Sequence, residues 1–177
     1  MGMNVNLAEL AKEIHAAAVE KGFWSVEDAE NKHLAKMISE IGEIVQADRA
    51  GILYEVEHEG AKPEGIVAEL ADFAMMTIDL LEQLEADFDA VEDVCTDYDA
   101  LKVLSAQTDA YSLAMILAAM LIDFARTVGD NMMGSDLAYT ICVASAWAEA
   151  HGFDLWDVIR QKMEYNKSRP ALHGRAY

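Results

Sequence analysis

Apolar residues recur at spacings of three and four along most of this chain, the period of a helix with one buried face. Leu7, Leu10, Ala11, Ile14, Ala17 and Ala18 mark such a face over residues 7–20, and Gly22 ends the run. Phe23 and Trp24 follow in a loop. Ser25, with Asp28 three residues on, comes close to a capping box and opens the stretch to a second helix that ends near Ala50 and Gly51. Leu34, Met37, Ile38, Ile41, Ile44 and Val45 form its stripe. A loop over residues 58–65, with two glycines and Pro63, returns the chain for a third helix to about residue 84, striped by Ile66, Val67, Leu70, Phe73, Ala74, Thr77 and Leu81. After an acidic stretch at 85–99, the pattern predicts helices over about 101–127, 136–150 and 155–166. Gly129 and Gly134 mark the first break and His151-Gly152 the second, and the tail from Pro170 reads as irregular.

With two prolines and no alternating run that reads as a strand, the expected fold is an all-α helical bundle, taken as one domain over 1–177. An internal duplication with halves 1–95 and 96–177 is a further reading. Met115-Ile116 echoes Met37-Ile38, and residues 152–157 echo 87–92. In that alignment Ala118, Leu121, Gly134 and Leu137 stand where the first half has Glu40, Glu43, Glu69 and Asp72, so the second half would be an acid-free copy.

Those four acids change the picture from a generic bundle to a candidate site. Glu40 and Glu43 lie in Ser39-Glu40-Ile41-Gly42-Glu43, and Glu69 and Asp72 in Glu69-Leu70-Ala71-Asp72. At about 100° per residue, each pair falls at the same angle beside its apolar stripe. Taken singly, acids at i, i+3 are ordinarily a solvated face. Two matched pairs on neighbouring helices would instead bring four carboxylates to the border of the core, where cations must offset their repulsion. Oxygen-only ligands select a hard ion, Mg²⁺ or Mn²⁺.

Composition narrows the partners. The 177 residues are 53 % apolar, enough for a sizeable core, and 13 Lys plus Arg against 32 Asp plus Glu give a net charge of -19. That charge argues against nucleic acid or an anionic membrane as partner, so a polyanionic ligand must arrive with metal. With two cysteines, Cys95 and Cys142, a disulfide framework is not expected and a reducing, cytoplasmic compartment is the default. Residues 1–10 lack the pattern of a signal peptide, and the longest apolar runs, 113–122 and 137–148, are too short to span a bilayer.

The clearest basic group is Lys162-Met163-Glu164-Tyr165-Asn166-Lys167-Ser168-Arg169-Pro170. Lys162 and Asn166 share a helix face, and Arg169 follows as the helix ends. Cations at a helix C-terminus often only complement its dipole. Together with a four-acid metal cleft they are also what metal-assisted phosphoryl chemistry requires.

At this point the chain resembles the MazG-like all-α nucleoside triphosphate pyrophosphohydrolases, a superfamily that includes the dimeric dUTPases, the dCTPases and phosphoribosyl-ATP pyrophosphatase relatives. The resemblance rests on Lys21-Gly22-Phe23-Trp24, on Ser39-Glu40-x-x-Glu43 with Glu69-x-x-Asp72, and on residues 162–170 with His173-Gly174 behind them. It covers about 5–84 and 150–175. The chain departs from the pattern where Ser39 precedes Glu40 in place of a second Glu, and in the 60-odd residues between the third helix and the C-terminal motif, as in the larger duplicated members. The resemblance implies Mg²⁺-dependent hydrolysis of a nucleoside triphosphate to the monophosphate and pyrophosphate by a homo-oligomer. Glu40, Glu43, Glu69 and Asp72 would hold metal, with Glu40, Glu43, Lys162 and Arg169 taking part in catalysis. Lys36, Lys162, Asn166 and Arg169 would hold phosphate oxygens, and Phe23 or Trp24 would lie near the base. The alternative is a non-catalytic nucleotide-binding or assembly module. A ferritin-like di-iron site would need a Glu-x-x-His pairing that none of these four acids makes.

Overall fold

The computed structural model describes residues 5–58, 60–94, 97–127 and 133–174. Among them every regular element is helical: α1 Leu7–Glu20, α2 Ala29–Ala50, α3 Ile66–Gln83, α4 Phe88–Asp93, α5 Tyr98–Ser105, α6 Ala110–Thr127, α7 Met133–Ala150, α8 Leu155–Lys167 and a final 3-10 turn Ala171–Gly174. The β pairing among the described residues is an isolated bridge between Glu55 and Glu64. The fold is all-α.

The centre of the molecule is α3. Fourteen of its 18 residues are buried, because α1, α2, α7 and α8 all pack against it. A helix apolar nearly all round is what such a position demands. Gly65 sets where it starts. Its φ is 101°, and a Cβ there would lie 2.8 Å from the Leu53 backbone, so only glycine fits the close approach. Across that contact the Ile66 and Val67 amides donate to the Ile52 and Leu53 carbonyls at 3.1 Å, which satisfies two helix-start donors and folds α3 back along α2. One hydrophobic core draws buried side chains from α1, α2, α3, α4, α6, α7 and α8.

Some expectations change on folding. The acidic stretch 85–99 holds α4 and the start of α5, and the single helix expected over 101–127 is two. Asp97 accepts from the Ala100 amide at 3.2 Å and Asp109 from the Ser112 amide at 2.7 Å. These side-chain caps start α5 and α6 separately. Gly134 lies within α7, while Gly129 falls outside the described residues. Helix α2 starts at Ala29, not at Ser25: Asp28 has a left-handed φ of 58° and its carboxylate takes the Asn31 amide group at 2.7 Å. Ile38, assigned to the buried stripe, is 55 % exposed. Cys142 on α7 is disulfide-bonded, contrary to the free thiols expected; Cys95 falls outside the described residues. No helix among the described residues is long and apolar enough to cross a membrane.

Candidate metal and anion site

Helices α2 and α3 run antiparallel, since Glu40 faces Glu69 and Asp72 while His33, two turns earlier, meets Met76 and Asp79. Oxygens of Glu40, Glu43 and Glu69 come within 4.8 Å of one another. Glu40 and Glu69 are buried and Glu43 half-buried. Burial, reinforced by the charges of Asp72 and Glu43, pushes the Glu40 carboxyl from 4.5 up to about 8. Glu69 is raised as well, by burial first and then by Asp72, with Lys162 opposing. Like charges at the edge of an apolar core cannot all ionise unless a cation joins them. The three-carboxylate, all-oxygen donor set therefore fits a hard divalent ion.

The fourth acid is placed differently. Asp72 accepts from Lys162 at 2.6 Å, so an internal cation already neutralises it. Lys162 is 1 % exposed, buried where α8 crosses α3, and is not the surface cation that its position near a helix end suggests. An ammonium so deep requires its carboxylate partner, because an unpaired buried charge is far costlier than the pair.

A cleft of about 720 Å³ runs from Glu40, Glu43 and Asp72 along α2 and α3. Although the protein carries a net charge of -19, six of its 13 Lys and Arg line this cleft: Lys21, Lys32, Lys36, Lys62, Lys167 and Arg169. Six acids, Glu13, Glu20, Glu40, Glu43, Asp72 and Asp79, line it as well, so this cleft, near charge balance in an otherwise strongly negative protein, offers an anion a wall it can approach. Lys36, one turn before Glu40, sits 4.7 Å over the Phe23 ring, a distance at which a cation is attracted to the ring face. Arg169 donates to Asn166 Oδ1 at 3.4 Å and lies 5.9 Å from the Tyr165 ring centre. Lys21 holds this wall in place from α1. Its ammonium donates to the carbonyls of Lys167, at 3.2 Å, and of Arg169, which α8 leaves unpaired at its end. The Leu172 amide returns a bond to the Lys21 carbonyl at 2.9 Å. The motif at 21–24 and the motif at 162–170 are thus one structural unit.

No family model, curated protein or solved structure matches this chain.

At the other end of the cleft stands a group that spacing along the chain did not single out. Asp79, 4 % exposed, accepts from His15 Nδ1 at 2.7 Å and from the Trp24 indole at 3.0 and 3.1 Å. Trp24 stacks on His33 with ring centres 4.9 Å apart. Its N–H and one ring face are therefore engaged, and of the two aromatic candidates Phe23 lines the cleft and Trp24 stands behind it. Asp79 follows Asp72 by seven residues, which is two turns and nearly the same helix angle, as His33 precedes Glu40 by seven. That periodicity was a usable signal. What it could not show was that α1 would supply His15 from the opposite side. His173 lies where side chains are outside the described set.

Proposed function

We propose that this protein is a Mg²⁺-dependent nucleoside triphosphate pyrophosphohydrolase, releasing the monophosphate and pyrophosphate. The observation that carries the reading is the convergence of three carboxylates, two of which, Glu40 and Glu43, line a cleft that six Lys and Arg side chains also line. Neither alone is enough: the acids would repel a triphosphate without metal, and the cations would hold any anion.

Glu40, Glu43 and Glu69 hold the ion, which when bound draws the triphosphate to the acid end and offsets charge on its oxygens. Lys36, Asn166 and Arg169 take the remaining phosphate oxygens from the facing wall. Glu43, the least buried of the three acids, accepts a proton from the water that attacks the α-phosphorus. The new P–O bond forms as the bond from that phosphorus to the bridging oxygen breaks, and pyrophosphate leaves with the displaced electron pair. Lys162 does not reach phosphate in this scheme; it fixes Asp72 and with it the spacing of α3 and α8. Mn²⁺ meets the same donor set.

One observation favours a second reading, a nucleotide-binding module without turnover: with Asp72 taken up by Lys162, the acid cluster itself offers, among the described residues, no carboxylate beyond its three ligands to act as a separate base. Incubating the purified protein with a panel of nucleoside triphosphates and Mg²⁺ decides between the two. Pyrophosphate release abolished by chelator supports the enzyme. Saturable nucleotide binding with no release supports the module.

A further inference from the structure

The end of the cleft remote from the metal cluster is built by two side chains whose hydrogen-bonding polarity can be assigned. His33 Nε2 lies 2.8 Å from the Met76 carbonyl oxygen, which cannot donate, so Nε2 carries the proton. Burial holds the ring neutral, lowering its pKa from 6.5 to about 4, and Nδ1 is then an acceptor. That nitrogen faces Asp79 Oδ2 at 3.8 Å. The donors that reach Asp79, His15 and Trp24, approach from behind, mainly on Oδ1, at 2.7 and 3.0 Å. Oδ2 receives the longer arm of the Trp24 contact, 3.1 Å. His33 and Asp79 both line the cleft, and His15 and Trp24 do not.

Two acceptors therefore stand side by side at the cleft wall with no proton between them. Such a pair repels until a donor is placed across it. Seven helical residues separate it from Glu40 and Asp72, about 10 Å at 1.5 Å per residue, a gap that a ribose and its base bridge when the phosphates lie at the acid end. We propose that Asp79 and His33 read the nucleobase through an exocyclic amino group, so that the protein prefers an amino-bearing base over its keto counterpart. This rests on the nucleotide reading above. An amino group offers two N–H donors and no acceptor toward the pair. A keto oxygen in its place sets lone pair against lone pair, the mismatch that sites built around a hydrogen bond reject most strongly.

The test compares bases that exchange this amino group for a keto oxygen, and with it the neighbouring ring nitrogen from acceptor to N–H donor, dCTP with dUTP and dATP with dITP, by kcat/KM in Mg²⁺. The expected result is a preference of at least about tenfold for the amino member of a pair. Asp79→Asn should erase or invert it, because the His15 and Trp24 donors hold the amide oxygen at Oδ1 and leave an N–H in the place of Oδ2. Equal rates for both members of each pair would overturn the base inference and leave pyrophosphohydrolysis standing. If no triphosphate is hydrolysed, the function reading fails, and the inference is then decided by equilibrium binding of deoxycytidine against deoxyuridine and deoxyadenosine against deoxyinosine to the wild-type protein. Tighter binding of the amino nucleosides would uphold it, and no difference in either pair would overturn it. Wild-type ratios serve as the readout even where Asp79→Asn folds poorly.

Discussion

The two ends of the cleft each bury a carboxylate, Glu40 at 8 % exposure and Asp79 at 4 %, yet they meet the cost of burial in opposite ways. Glu40 is surrounded by other acids, and its carboxyl rises from 4.5 to about 8. Asp79 is buried more deeply but rises only from 3.8 to about 6, because His15 and Trp24 donate to it. Burial alone pushes both up; hydrogen bonds to the ionised form pull one of them back. The acid end is left short of positive charge and is suited to recruit it. The other end is internally satisfied on one side, and so can present a fixed acceptor on the other.

The sharpest way to break this contrast is Glu40→Gln. Metal-dependent turnover should fall by at least about 100-fold, since a direct ligand is lost. The metal-free protein should hold its stability or gain, because Gln needs no proton to stay neutral beside the other acids. The pH dependence gives the sign. With the folded pKa above the unfolded one, the native state binds the extra proton between pH 4.5 and 8. The stability Glu40 contributes is therefore full below 4.5 and is lost as pH rises through 8. His33, lowered from 6.5 to about 4, acts oppositely, adding stability as pH rises through that window. Thermal melts of wild type minus Glu40→Gln isolate the Glu40 limb. Millimolar Mg²⁺ should flatten it in the wild type, and a limb equal in both proteins would show that Glu40 is not the titrating group.

Asp72→Asn tests the internal cation. It should cost about 2 kcal/mol in denaturant unfolding, less than the roughly 3–5 kcal/mol of breaking a fully buried pair, since the Asp72 side chain is 23 % exposed and Glu69 remains beside Lys162. Asp72→Asn thus differs in sign from Glu40→Gln, although the two acids share one cleft. Adding Lys162→Met should recover most of the loss. No recovery would mean that Lys162 has a second essential partner.

Arg169→Ala should lower kcat/KM for a triphosphate about tenfold, through KM, while unfolding shifts by no more than about 0.5 kcal/mol, because a half-buried terminal cation with a 3.4 Å bond contributes little to folding. An unchanged KM would return the C-terminal cluster to a dipole-complementing helix end. The smallest effect belongs to Trp24→Phe. Losing one donor to Asp79 should cost about 1 kcal/mol and move the Asp79 titration, followed by NMR, further above 6. A stability loss with no shift in that titration would make Trp24 a packing residue only.

The bounds of α1, α3 and α8 and the acidic edge shared by α2 and α3 were legible in the chain, because each depends on residues within a few turns of one another. The α5–α6 break was not legible, because the apolar period on both sides predicts one helix and nothing in it says that Asp97 and Asp109 act as separate caps. Long-range pairing was not legible. Lys162 meets Asp72 across 90 residues and His15 meets Asp79 across 64, and nothing in the period of either helix states which partner a charge will find. Local sequence determined which residues face the seam, because side-chain direction follows from helix geometry alone. The packing of α1 and α8 on α3 decided which of those carboxylates gained a donor or a cation and which were left to share a metal, because desolvation and pairing act through space and not along the chain.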